Sequence, residues 1–259
     1  VMLPHYSPLK VAETFSMLAG LYGDRIDLAV GRAAGTDPLT TFALQRDRRQ
    51  VSPDDFPQQL AELLAYIEDR MPADHPFARL SALPGRPGHP AVWLLGSSEQ
   101  SAIWAAEADL PYAFADFINP NGAPFVRRYR REASSPRVLV AVTAICAETD
   151  DEAWRVAASS RMVFSLFHRG QLLPVPPIET ALAWFASEGL EPRALPPGRR
   201  AIIGSPSTVR RGLLAVAEEY EADELMIVTI TFEHEARRTS YELIAEEMGK
   251  SALHQSSMT

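Results

Sequence analysis

Short apolar runs that alternate with segments of helical pattern constrain this chain more than any other feature of its sequence. Each run is rich in branched side chains, which are typical of buried strands. Gaps of about 20 to 60 residues separate the runs, which is room for a helical crossover between parallel strands. We therefore predict an α/β fold, either a barrel or a doubly wound sheet. The predicted strands are residues 25–31, 91–95, 110–114, 137–145, 202–203 and 224–228.

Helix signals fill the gaps between these strands. Ser7 precedes a proline at the start of a predicted helix over 8–22, and Thr149 opens a capping box for a helix that runs towards residue 170. The 259 residues, 46% of them hydrophobic, are enough for one domain over 1–250, although two small domains also fit. We predict a disordered tail over 251–259. Further helices are predicted over 54–67, 102–108, 121–133, 178–187, 209–220 and 237–248.

The first complete strand ends abruptly in Gly31 and Arg32. The residues beyond them are turn formers, so the strand stops there and presents an arginine at its carboxyl end. Parallel α/β proteins place anion-binding groups at this edge of the sheet. Two interpretations stay open: Arg32 binds an anionic ligand, or it caps a neighbouring helix.

A second strand end carries a serine cluster before a helix. The order is strand, Gly96, Ser97, Ser98 and then Ser101 within the first helical turn. Free amide groups at a helix start carry partial positive charge, and serine hydroxyls there can donate to a phosphate. Serine is also a common helix cap, so simple capping is the alternative. The spacing of Ser98 and Ser101 places both on one face, which favours phosphate binding.

Composition excludes several functions. The formal charge of -8 argues against nucleic-acid binding, which needs a concentrated basic face. No apolar run reaches the roughly 18 to 20 residues of a membrane span. A single cysteine, Cys146, favours a reducing, cytoplasmic setting, and no spacing of ligand residues predicts a metal site.

Motifs in three regions resemble the bacterial luciferase-like flavin monooxygenases, in the alkanal monooxygenase-like branch that uses FMN. They are the segment 5–13, which begins His-x-Ser-Pro-Leu, the segment 21–37 around Gly31-Arg32, and the segment 92–98, which ends Gly-Ser-Ser. The similarity continues through 222–226 and 232–237. It covers nearly the whole chain, and the motifs occur in the family's order.

The resemblance implies a (β/α)8 TIM barrel that binds reduced FMN at the carboxyl ends of its strands. The flavin would react with dioxygen to oxidise a small organic substrate, and a separate flavin reductase would deliver it. Arg32, next to Gly31, matches the family's phosphate-binding arginine, and Ser98 and Ser101 match its hydroxyl positions. Ser97 would lie beside the isoalloxazine or ribityl chain through its backbone. The family also implies a possible homodimer.

Two departures from the family bear on catalysis. Relatives have serine and histidine where this chain has Asp116 and Phe117, so the pocket near the reacting edge is expected to differ. The family's first two strands and its catalytic histidine are expected upstream of Val1, so the barrel here would be incomplete at the amino terminus and the catalytic residue unknown. Alternatives are a deazaflavin-dependent oxidoreductase on the same fold, a non-catalytic flavin-binding protein or an inactive remnant.

Asp116, His5 and His234 are the candidate substrate-pocket residues. His5 ends what the resemblance treats as the third strand, and His234 follows the last strand, so each could face the active-site mouth. A loop or helix-capping role is the alternative for His234. Variable loops over 33–52 and 172–200 would line the rest of the pocket.

Overall fold

The computed structural model describes residues 1–32, 38–44, 55–80, 88–191 and 193–256. The strands are β1 (Asp27–Val30), β2 (Ala91–Gly96), β3 (Tyr112–Ala115), β4 (Val138–Cys146), β5 (Ile202–Gly204) and β6 (Glu224–Val228). The helices are α1 (Pro8–Tyr22), α2 (Pro38–Leu44), α3 (Phe56–Ile67), α4 (Glu99–Glu107), α5 (Ala123–Glu132), α6 (Asp150–Val156), α7 (Ala158–Phe167), α8 (Ile178–Ser187), α9 (Pro206–Tyr220) and α10 (His234–Ser256). Two compact units divide the chain, Val1–Ala113 with Arg128–Arg137, and Phe114–Arg127 with Val138–Thr259.

The first unit is built on the parallel pair β1 and β2. Their register places Leu28 opposite Val92 and Val30 opposite Leu94. All four side chains are buried, which explains why both strands are nearly continuous apolar runs. Met2 extends the pairing through a parallel bridge to Gly31. The predicted parallel pairing is confirmed here.

Helices α1 and α3 pack against each other in this unit. Each turns an apolar stripe inwards, with Val11, Ala12 and Ala19 buried on α1, and Leu60 and Leu63 buried on α3. Helix α2 falls within the connection that the sequence predicts to be a loop. Leu39 of α2 is 77% exposed, so little burial accompanies this short helix.

The second unit is organised by β4, in which all nine residues are buried. It pairs in parallel with β6 along its first half and with β5 at its end, where Cys146 lies opposite Gly204. Helix α6 packs against this end, where its Ala153 and Val156 join Ile145 and Ile203 in one hydrophobic cluster. Burying apolar surface contributes about 25 cal/mol per Å² to stability, so such clusters supply most of the favourable free energy of folding.

Several helix boundaries differ from the sequence prediction. The helix predicted from Thr149 towards residue 170 is two helices, α6 and α7, that meet at Ala157. Helix α10 begins at His234 and ends at Ser256, whereas 237–248 was expected. Residues 257–259 lie outside the described residues, and the single domain over 1–250 stays a prediction.

The side chain of Tyr129 on α5 links two segments of the first unit. Its buried hydroxyl donates to the Leu110 carbonyl at 2.9 Å and accepts from the Arg137 amide at 3.1 Å. We expect Tyr129→Phe to lower the free energy of unfolding by about 1–3 kcal/mol, because it leaves buried backbone groups without a partner. Urea unfolding followed by circular dichroism measures this, with Tyr22→Phe at a 55% exposed position as the control. Equal stability of the two variants would contradict the assignment.

Candidate functional site

Gly31 and Arg32 lie at the carboxyl end of β1, directly beside the end of β2. A Cβ atom on Gly31 would be 3.3 Å from the Leu95 carbonyl oxygen, so the two backbones approach closely at this point. Arg32 then leaves the sheet and is exposed. Its guanidinium carbon lies 5.3 Å from the centre of the Trp104 ring on α4. A cation–π contact of this kind orients the arginine along the helix that follows the neighbouring strand.

Ser98 and Ser101 form a reciprocal cap at the start of α4. The Ser101 amide donates to the Ser98 hydroxyl at 3.4 Å, and the Ser98 amide donates to the Ser101 hydroxyl at 3.3 Å. These contacts confirm the interpretation of the two serines as helix caps. Ser98 is exposed, whereas the Ser101 hydroxyl makes its contacts within the protein.

The Ser101 hydroxyl is engaged inside the protein. It donates to the Ser98 carbonyl at 2.6 Å and lies 2.8 Å from the hydroxyl of Tyr112. Ser101 is buried, and burial raises the pKa of Tyr112, so the Tyr112 hydroxyl stays protonated. A hydroxyl has one proton to donate, and that of Ser101 already has two nearby acceptors. Ser101 therefore holds the helix start in place.

The helix start itself offers the remaining donors. The first amides of an α-helix have no acceptor within the helix, and here these are the amides of Glu99 and Gln100. The Glu99 carboxylate forms an ion pair with the Arg128 guanidinium at 2.8 Å. Ser97 lies half-buried at the bend just before the cap. These donors lie at the ends of two adjacent strands. Arg32 follows β1, and the Ser98 hydroxyl and the two amides follow β2.

Gly96 is required for this arrangement. A Cβ atom there would lie 2.0 Å from the Ser101 hydroxyl oxygen and 2.2 Å from its Cβ, which is too close for any side chain. We expect Gly96→Ala to displace Ser101, break the reciprocal cap and cost about 1–3 kcal/mol of unfolding free energy. Thermal unfolding measures the loss. Gly249→Ala is the control, since nothing lies within 4 Å of its position, and a similar loss in both variants would contradict this role for Gly96.

Asp116 is placed in a buried polar cluster of the second unit. Its side chain is 0% exposed, and one carboxylate oxygen accepts from the Tyr220 hydroxyl at 2.9 Å. The Arg200 Nε lies 3.5 Å from the same oxygen, while the other oxygen is buried and accepts no hydrogen bond from any described residue. Burial raises the pKa of Asp116 above its usual value, although Tyr220 and Arg200 oppose the shift. Asp116 thus joins Tyr220 and Arg200 in the interior.

The raised pKa of Asp116 predicts that the free energy of unfolding depends on pH. The folded protein holds this proton more tightly than the unfolded chain, so stability falls as pH rises from about 3.8 through the folded pKa. Asp116→Asn removes that dependence. Relative to wild type, its unfolding free energy should rise across this range by up to about 1.4 kcal/mol per pH unit.

Urea unfolding at several pH values between 4 and 7 measures this difference. Asp74→Asn, at an exposed position, is the control. A constant difference between Asp116→Asn and wild type at every pH would contradict the raised pKa.

The two candidate histidines lie in different surroundings. His5 ends a single 3-10 turn in the first unit and is half-buried. His234 begins α10 in the second unit, where its Nδ1 lies 3.0 Å from an Arg237 nitrogen on the same helix. The pocket roles of His5, Asp116 and His234 stay predictions.

Sequence reasoning missed the aromatic side chains that organise both regions. Trp104 contacts Arg32 and packs on Phe56 with ring centres 5.0 Å apart. Tyr112 bonds to Ser101, 11 positions away, and Tyr220 bonds to Asp116, 104 positions away. Within the described ranges no three histidine, cysteine or acidic side chains could together hold a metal ion. Likewise, none of the helices described has the length and apolar character to cross a membrane.

Parallel strands joined by helices define an α/β protein, and here an arginine and a capped helix start lie at adjacent strand ends. The chain belongs to the luciferase-like monooxygenase family, whose family model matches residues 1–223. This confirms the predicted family and its luciferase-like barrel as the fold class, and it supports an oxidoreductase.

Individual relatives agree with this assignment. The YwcH protein of Bacillus subtilis is 40% identical over 95% of this chain and 76% of its own length. A luciferase-like monooxygenase of Escherichia coli K12 is 35% identical over 94% of this chain and 73% of its own length. Among solved structures, apo-MsnO8 has a TM-score of 0.79 at 38% identity and covers 96% of this chain and 76% of that chain.

A more distant solved structure shares the fold. It is the oxygenating constituent of 3,6-diketocamphane monooxygenase from Pseudomonas putida, a type II Baeyer-Villiger monooxygenase in complex with FMN. Its TM-score is 0.64 at 18% identity, with 95% of this chain and 77% of that chain covered. Identity at this level shows the fold alone.

Proposed function

We propose that this protein is a flavin-dependent monooxygenase that uses reduced FMN and dioxygen to oxidise a small organic molecule. Membership of the luciferase-like monooxygenase family supports the reaction class. The FMN complex of the distant neighbour supports the choice of flavin. The observation that carries the proposal for this chain is the contact between Arg32 and α4, because it puts a cation beside a helix that starts at the adjacent strand end.

The residues at these strand ends fit a phosphate group. Arg32 is exposed and has a planar set of donors that matches a phosphate. The amides of Glu99 and Gln100 and the Ser98 hydroxyl add neutral donors at the positive end of the helix dipole. Together they would hold the phosphate of FMN, with Gly31 and Gly96 allowing the close backbone approach and Ser97 beside the rest of the flavin.

Each protein group has a binding or positioning task. Trp104 holds the Arg32 side chain by its ring face, and Ser101 with Tyr112 fixes the helix start through internal hydrogen bonds. FMN, when bound in its reduced form, supplies the reaction with dioxygen. A separate flavin reductase would deliver the reduced flavin. Residues 33–37 and 45–52 of the proposed substrate loops lie outside the described residues, and the segment 172–200 is described apart from residue 192.

Arg32 provides the test of the phosphate site. We expect Arg32→Ala to weaken FMN binding by about 10 to 100-fold, because it removes a charge-assisted contact to the phosphate. Riboflavin lacks the phosphate, so its affinity should change by less than about threefold. Fluorescence titration with both flavins measures this. Arg25→Ala, at another exposed arginine of the first unit, is the matched control.

Equal losses of FMN and riboflavin affinity in Arg32→Ala would remove the phosphate assignment. Titration with a deazaflavin cofactor separates the alternative on the same fold, since preference for it over FMN would contradict the proposal. Detection of an oxygenated product that requires the protein, reduced FMN and dioxygen then distinguishes a monooxygenase from a non-catalytic flavin-binding protein, because free reduced FMN consumes dioxygen without oxygenating a substrate.

A further inference from the structure

A small cavity lies wholly within the second unit. Strands β4 and β5, helix α7 and the segment leading into β5 surround it. Its volume is about 20 Å³, and a cavity needs about 10–15 Å³ to hold a water molecule. It therefore has room for one water and excludes larger polyatomic ligands. The lining residues include Thr143, Ser160, Phe164, Arg199 and Ile203.

Arg199 brings an unused hydrogen-bond donor to this cavity. Its Nε is buried and makes no hydrogen bond with any described residue. The rest of the guanidinium donates to the Phe117 carbonyl, and its central carbon lies 5.0 Å from the centre of the Phe164 ring. A buried donor without a partner destabilises the fold, and native structures nearly always supply such a donor with protein or ordered water.

Two buried hydroxyl side chains form the neutral polar part of the wall. Thr143 of β4 is 6% exposed and Ser160 of α7 is 3% exposed. The Ser160 hydroxyl donates to the Ala157 carbonyl at 3.1 Å, and its oxygen can still accept a hydrogen bond. Buried waters make about three hydrogen bonds each and occupy polar cavities, whereas apolar cavities stay dry. One guanidinium donor and two hydroxyls are partners enough for one water.

We propose that this cavity holds one ordered water molecule that bridges Arg199 Nε to the hydroxyls of Thr143 and Ser160. The water accepts the Nε proton and donates to the two hydroxyl oxygens, so each of the three side chains is satisfied. It links the segment before β5 to β4 and to α7. Because Arg199 also holds the Phe117 carbonyl, the water stabilises the turn after β3 that carries Asp116.

A matched pair of variants at Thr143 tests the proposal. Thr143→Val keeps the shape of the side chain and removes its hydroxyl, whereas Thr143→Ile adds a further methyl group that fills the cavity. Oxygen-17 magnetic relaxation dispersion on the whole chain counts the long-lived internal waters. We expect Thr143→Ile to hold one such water fewer than wild type. Thr180→Ile, at an exposed threonine of the same unit, is the control and should match wild type.

Thermal unfolding of the same two variants gives a second readout, with opposite signs for a wet and a dry cavity. Filling a hydrated cavity leaves Arg199 Nε without a partner, so Thr143→Ile should melt at least about 2 °C below Thr143→Val. Filling a dry cavity adds packing contacts. A melting temperature of Thr143→Ile above that of Thr143→Val would therefore overturn the proposal.

An unchanged count of internal waters in Thr143→Ile would overturn it as well. If Thr143→Ile does not fold, a crystal structure of the wild-type protein at a resolution that shows ordered waters carries the test. The proposal requires a water within about 3.2 Å of Arg199 Nε. A chloride ion in the cavity, or a cavity without density, would contradict it. None of these measurements uses flavin, so failure of the flavin assignment does not affect this test.

Discussion

The parallel register of β1 and β2 is the constraint on which the candidate flavin site depends. Because Val30 lies opposite Leu94, the two strands end side by side. Gly31 favours this close approach, since a Cβ atom there would lie 3.3 Å from the Leu95 carbonyl oxygen. Arg32 and α4 then leave the sheet at the same edge. The side chain that supplies charge and the helix that supplies amides are neighbours for this reason.

The serine pair stabilises the same helix start at which we propose that the phosphate binds. A reciprocal cap satisfies two of the amides that a helix leaves free, and it uses the Ser101 hydroxyl to do so. In the proposed site the amides of Glu99 and Gln100 would bind the ligand. The Tyr112 hydroxyl, 2.8 Å from that of Ser101, holds the cap in place. A preorganised site of this kind does not have to move its donors when an anion arrives, which lowers the cost of binding.

Local patterns predicted the parts of this structure that local physics determines. The apolar runs of β1, β2 and β4, the end of a strand at Gly31 and the cap at Ser98 depend on residues close in sequence. Contacts between distant residues were not predictable in this way. Tyr220 reaches Asp116 across 104 positions, and Trp104 meets Arg32 only because the strands are in register. The break at Ala157 and the full length of α10 were missed because amphipathic patterns mark helix centres better than ends.

A structure of the protein with FMN bound tests the central claim most directly, because it locates the phosphate. The account predicts a phosphate within hydrogen-bond distance of the Arg32 guanidinium and of the amides of Glu99 and Gln100. A phosphate bound at any other group of donors, with Arg32 still stacked on Trp104 and away from the flavin, would contradict it.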